Sequence, residues 1–160
     1  MVEFSLNMID HPLYSKVASY CARAERCPQE VLQWLERKQV PRHESEQILE
    51  ELVAERYVDE ERYIAAFASD KLRFSEQGPM RIKRELLVKD LPENLVESIV
   101  DRVMEENNYR EVLASLLQKK LALLDSPDAD AIHTKVLQWA YGKGFEWEDV
   151  LEAARQFLRL

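Results

Sequence analysis

The chain has 160 residues, 46% of them hydrophobic, with only 3 Gly and 6 Pro and a formal net charge of −8. The apolar share argues against a disordered chain, and the glycine and proline counts leave too little for the many tight turns of an all-β fold. The negative charge argues against an autonomous, non-specific DNA binder, whose affinity would come mainly from neutralising phosphates.

Residues 1–10 show no basic stretch followed by an apolar core, so no secretion signal is expected. A first helix is predicted over Pro12 to Ala24, with Leu13, Val17, Tyr20, Cys21 and Ala24 on one stripe. Cys21 and Cys27 lie six apart without metal-type spacing and are expected to stay reduced in a cytoplasm. A helix pair follows, carrying Val31, Leu35, Lys38, Val40, Ile48, Leu49 and Leu52. Val40-Pro41 divides the pair, because proline disfavours helix in the residue before it.

Asp59 is a predicted N-cap, with Glu60 and Glu61 in the first turn of the next helix. That helix is expected to carry Tyr63, Ala66 or Phe67, Asp70 and Phe74 at its 3–4 residue spacing. Gln77-Gly78-Pro79 is predicted to end it with Gly and open its successor with Pro. The helix pair then recurs as Ile82, Leu86, Lys89, Leu91, Ile99, Val100 and Val103, with Leu91-Pro92 at the place of Val40-Pro41. A further helix from near Asn108 carries Val112, Leu113, Leu116, Leu117, Leu121 and Leu124. Ser126-Pro127-Asp128 opens the third copy of the pair: Val136, Ala140, Lys143, Phe145, Ala153, Ala154 and Phe157. Gly142-Lys143-Gly144 ends its first helix.

The copies start 51 and 54 residues apart with identical internal spacing. A period of this size marks a helical repeat, in which one unit cannot bury its apolar face alone. The predicted fold is all-α: a tandem array of three three-helix repeats, elongated and curved, with boundaries at 1–57, 58–107 and 108–160. The longest apolar run, Tyr63 to Ala68, is far short of the ~20 residues that span a bilayer.

Charge is distributed unevenly. Residues 1–60 carry 12 acids against 7 bases, residues 61–92 carry 5 against 7, and residues 93–160 carry 13 against 8. Of these three stretches, only residues 61–92, inside the central repeat, are net basic. Arg62, Lys71, Arg73, Arg81, Lys83, Arg84 and Lys89 form its candidate partner-binding surface, set against the plainer alternative of a solvated face paired with Glu76 and Glu85.

Other candidates have simpler explanations. Asp128, Asp130 and His133 suggest a metal site, but capping by Ser126 or Asp128 explains them as well. Gly142-Lys143-Gly144 lacks the leading glycine, following Ser/Thr and preceding strand of a phosphate loop. Trp34 and Trp139 sit at equivalent repeat positions, as core residues or as base-stacking platforms. Cys27 stands where a Ser cap would be ordinary, which leaves redox sensitivity open beside a structural role. No nucleophile with a base and an orienting group is present in the pattern. No catalytic residue, metal or cofactor is expected.

Four segments carry a resemblance. Tyr57-Val58-Asp59-Glu60-Glu61-Arg62-Tyr63-Ile64-Ala65-Ala66-Phe67 resembles the G-Y-L-D-D-x-R-F-A-x-x-F signature of the RecX regulators. Gln77 to Leu91 is similar to that family's K-G-x-x-R-I-x-x-E-L-x-x-K-G-I. Arg26-Cys27-Pro28-Gln29-Glu30-Val31 resembles R-S-x-x-E-L, and Gly144-Phe145-Glu146-Trp147-Glu148-Asp149-Val150 resembles G-F-x-x-D-x-I. Cys27 replaces the usual cap Ser. Arg56 and Asp90 each replace a Gly.

The resemblance implies a small cytoplasmic regulator, not an enzyme, that binds the RecA recombinase and its DNA filament and inhibits ATPase and strand exchange. The acidic net charge makes contact with DNA expected to be weak or indirect, and the protein is expected to be monomeric and away from membranes. The competing expectation is an acidic helical-repeat adaptor for another protein.

Overall fold

A computed structural model describes residues 7–124 and 129–158. It divides into two compact units, one running up to Tyr63 and one from Ile64 onward.

The first unit opens with a 3-10 turn, Met8–Asp10, where the Asn7 carboxamide accepts from Ile9 N at 3.2 Å. Three helices follow: α1 (Tyr14–Arg23), α2 (Pro28–Arg37) and α3 (Arg42–Ala54). Proline at the first position of α2 fits the helix because its missing N–H would have no intrahelical partner. Val17, Val31, Leu35, Ile48 and Leu52 are fully buried and form the core of this unit. Val31 and Leu35 on α2, and Ile48 and Leu52 on α3, each span one helical turn, so one stripe of each of these two helices faces inward.

Helix α4 (Glu60–Ser75) contains the division between the units. The second unit continues with α5 (Pro79–Val88), α6 (Glu93–Glu106), α7 (Tyr109–Leu123), α8 (Ala129–Gly142) and α9 (Trp147–Leu158). Helix α5 packs on α6, and α7 packs on both α8 and α9.

The helices form three successive trios, and equivalent positions are buried alike. Val31, Ile82 and Val136 are all fully buried, as are Leu35, Leu86 and Ala140. Phe145 is fully buried at the place of Leu91. Lys38, Lys89 and Lys143, at one shared position, keep partial or full exposure. The spacing read from the chain is therefore the register of the core.

Some expectations shift. The buried stripe of α4 is Ile64, Ala68 and Leu72 with Tyr63, while Phe74 is 75% exposed and Asp70 is exposed. The helix is apolar on more than one side, so spacing alone did not fix its phase. Ala24 lies just beyond α1 and is exposed. The residue that ends α4 in the left-handed region is Glu76, at φ 52°, whereas Gly78 is the N-cap of α5. Ser126, Pro127 and Asp128 lie outside the described residues, as does the side chain of Phe157.

Candidate functional site

The seven basic residues do not share one environment. Arg62 belongs to the first unit and is used there. Its Nε pairs with Glu25, and its Nη2 donates to the carbonyls of Arg56 at 3.1 Å and Tyr57 at 3.4 Å. Its backbone N–H is capped by Asp59 Oδ1 at 3.0 Å. The arginine thereby ties the turn after α3 to the turn after α1.

In the second unit, Lys83 lies against α6. Its ammonium meets Glu97 Oε2 at 2.7 Å and Asp101 Oδ1 at 2.8 Å, with the side chain 17% exposed. Burial alone would lower its pKa, but these two carboxylates outweigh it and hold the pKa above the ordinary lysine value. Arg81 and Lys71 share Glu85, at 3.5 and 3.8 Å. Lys71 and Lys89 both lie over the Phe67 ring, at 5.4 and 5.9 Å. Arg73 covers the ring of Phe74 at 5.6 Å. Arg84 is exposed and has no ion pair among the described residues.

The sequence therefore indicated a basic island, and the fold neutralises much of it. What the composition missed is the outer side of α5. Met80, Leu87 and Val88 are 37%, 38% and 75% exposed there. A signal was available in Leu86-Leu87-Val88, since three consecutive apolar residues cannot all face one side of a helix.

The aromatic candidates are engaged by protein groups. Trp34 stacks on Tyr20 with centroids 5.9 Å apart and planes at 24°. Arg26 covers the Tyr20 ring at 3.9 Å, and Lys38 covers Trp34 at 5.3 Å. Lys120 lies over Trp139 at 4.7 Å. Both tryptophans are half-buried, an intermediate between the core and platform alternatives.

Cys27 is fully buried at the start of α2, its thiol 3.4 Å from Glu30 Oε1, and Tyr63 Oη donates to the same oxygen at 2.6 Å. Burial pushes the Cys21 thiol up to about 11, away from the thiolate that redox chemistry needs. His11 is locked structurally: Nδ1 accepts from Leu13 N at 3.1 Å, and Nε2 lies 3.4 Å from Glu44. Among the described residues, no group of three or more His, Cys, Asp and Glu is arranged to hold a metal ion. No described helix is long and apolar enough to cross a membrane.

A cleft of about 300 Å³ in the second unit is lined by Asp101, Glu105, Glu146 and Asp149 beside Tyr109. Arg110 offsets part of that charge, 3.1 Å from Glu105 and 3.9 Å from Asp149. Tyr109 Oη donates to Asp149 Oδ2 at 3.1 Å. Burial, with this bond second, pushes the phenol up to about 12.

These features define an all-α protein of three-helix repeats whose central trio carries an exposed face of mixed basic and apolar character. The family description "RecX, second three-helix domain" matches residues 59–98, the heart of that trio. The regulatory protein RecX of Geobacillus thermodenitrificans is 33% identical over 137 residues, covering 84% of this chain and 50% of the relative. The regulatory protein RecX of Streptococcus agalactiae serotype V is 24% identical over 132 residues, covering 82% of this chain and 50% of the relative. A crystal structure of RecX from Lactobacillus salivarius superposes with a TM-score of 0.79 at 19% identity, covering 92% of this chain and 95% of that one. Over most of its length the chain is similar to regulatory proteins of the RecX family. It spans about half the length of the curated relatives it matches.

Proposed function

We propose that this protein binds the RecA recombinase, or its filament on DNA, and restrains ATP hydrolysis and strand exchange without being an enzyme itself. The observation that carries the proposal is that the family match, residues 59–98, takes in residues 61–92, a net-basic stretch on an acidic chain. The repeats, bounded at 1–57, 58–107 and 108–160, act as successive recognition units in the cytoplasm. The basic stretch 61–92 of the central one meets acidic filament surface or DNA phosphate, since complementary charge steers association. The acidic outer repeats compete for basic loops that otherwise hold DNA.

The test is the ATPase rate of the cognate RecA on single-stranded DNA, titrated with this protein. Substoichiometric inhibition is expected. An unchanged rate with a folded protein would remove the RecA reading and leave an acidic helical-repeat adaptor for another partner.

A further inference from the structure

We propose that the outer face of α5 is a docking surface for an amphipathic helix of the partner protein, one that sets a carboxylate between apolar side chains. This rests on the RecA reading and specifies where the central repeat makes contact and with what chemistry.

Met80, Arg84, Leu87 and Val88 fall at i, i+4, i+7 and i+8 of α5, within an arc of roughly 100°. Met80, Leu87 and Val88 are exposed large hydrophobics. The opposite side of the same helix carries Ile82 and Leu86, both fully buried. A surface helix ordinarily has one apolar stripe, and a helix apolar on both sides belongs in an interior. The inner stripe is covered by α6. The outer stripe faces solvent.

Arg84 lies within that outer stripe. The cations around it are committed elsewhere: Arg81 and Lys71 to Glu85, and Lys83 to Glu97 and Asp101. Arg84 keeps its charge exposed on a chain of net −8. A guanidinium pairs bidentately with a carboxylate, and arginine among apolar contacts is characteristic of the few residues that dominate an interface. An apolar stripe with one such cation suits a protein helix better than a nucleic acid. Phosphate backbones are bound by arrays of cations, and Met80, Leu87 and Val88 supply none.

The experiment measures binding of fluorescently labelled protein to RecA filaments on single-stranded DNA, with naked single-stranded DNA alongside. The variants are Val88→Asp, Val88→Asn and Arg84→Glu, with Val53→Asp as control because Val53 is 49% exposed on α3 of the other unit. Circular dichroism and urea midpoints confirm folding, and Val88→Asn decides if Val88→Asp does not fold. The Val88 and Arg84 substitutions are each expected to weaken filament binding about tenfold or more, with the control unchanged. The Val88 loss should persist at high salt.

Binding by the folded Val88 variants equal to wild type would overturn the docking face while leaving the RecA reading intact. No filament binding by the wild type would overturn both. A loss confined to Arg84→Glu, erased by salt and mirrored on naked DNA, would assign the face to phosphate and overturn the proposal. So would a Val88 effect confined to self-association in sedimentation, which would make the occupant a second copy of this chain.

Discussion

Gly78 and Gly144 bring two backbones into direct contact. Gly78 N donates to Lys143 O at 2.8 Å, and Met80 N donates to Gly144 O at 2.9 Å. A Cβ on Gly78 would overlap the backbone of Gly144 and Phe145, and a Cβ on Gly144 would overlap the Cβ and backbone N of Arg81. Lys143 Nζ also caps Ser75 O at 2.8 Å. The turn between α8 and α9 is thereby seated on the start of α5, joining the central and third trios inside the second unit.

Gly144→Ala should therefore lower stability by about 2–4 kcal/mol, because it adds a backbone clash to a left-handed conformation. The φ of Gly144 is +101°. Gly142 is the control: a Cβ there meets nothing within 4 Å. Gly142→Ala at the end of α8 should be neutral or slightly stabilising. Urea unfolding of the two variants checks the contrast.

Arg56 and Asp90 hold left-handed backbones, at φ 62° and 59°. Both sit where the family pattern has Gly, just after α3 and α5. A side chain with a Cβ is disfavoured in that region by about 1–2 kcal/mol, partly offset by the extra freedom Gly has when unfolded. Arg56→Gly and Asp90→Gly should each raise stability by about 0.5–1 kcal/mol. A rise in the thermal midpoint of either variant is the expected readout, and a fall in both would refute the strain argument.

Arg62 and Arg84 should separate structure from recognition. Arg62→Ala removes the partner of Glu25, one of whose carboxylate oxygens is already buried without a hydrogen bond among the described residues. A loss of about 1–2 kcal/mol is expected from the hydrogen bonds it makes. Arg84→Ala should stay within about 0.5 kcal/mol of wild type, as an exposed side chain without an ion pair. Paired denaturation curves decide this without any partner present.

Tyr109 sets a pH dependence on the alkaline side. Its folded pKa, about 12, lies above the unfolded value of 10.0. The native state therefore holds the phenolic proton more tightly. The associated stability is complete below pH 10 and is lost as pH rises from about 10 to 12. Tyr109→Phe should cost about 1 kcal/mol at neutral pH through the lost bond to Asp149. Between pH 8 and pH 11 the variant should then lose less stability than wild type in urea titrations. Equal losses would assign the alkaline transition elsewhere, to Tyr14 or Tyr63, whose pKa values burial also raises.

Periodicity carried most of the fold. Val31, Ile82 and Val136 could be aligned because a helix exposes one stripe every 3.6 residues, and a repeat writes that stripe again. The glycine of Gly142-Lys143-Gly144 was legible as a helix end for a local steric reason, and the left-handed Gly144 bears it out. Helix α4 was misjudged at Phe74 because its apolar residues lie on more than one side.

The candidate site was legible only as charge. Arg62, Lys71, Arg81, Lys83 and Arg84 look alike in sequence, within 22 residues of one another. Arg62 serves as a tie between turns, Lys83 is clasped by two carboxylates of α6, and Arg84 stands in the open. Sequence by itself determined the helices, the repeat register and the basic island, because these depend on backbone preferences and counts along the chain. Only the tertiary structure decided which cations are spent, why Gly78 and Gly144 have no side chain, and that α5 is apolar on its outer side. Those facts depend on which residues distant along the chain meet in space, and hydrogen-bond and ion-pair energies fall off over a few ångströms.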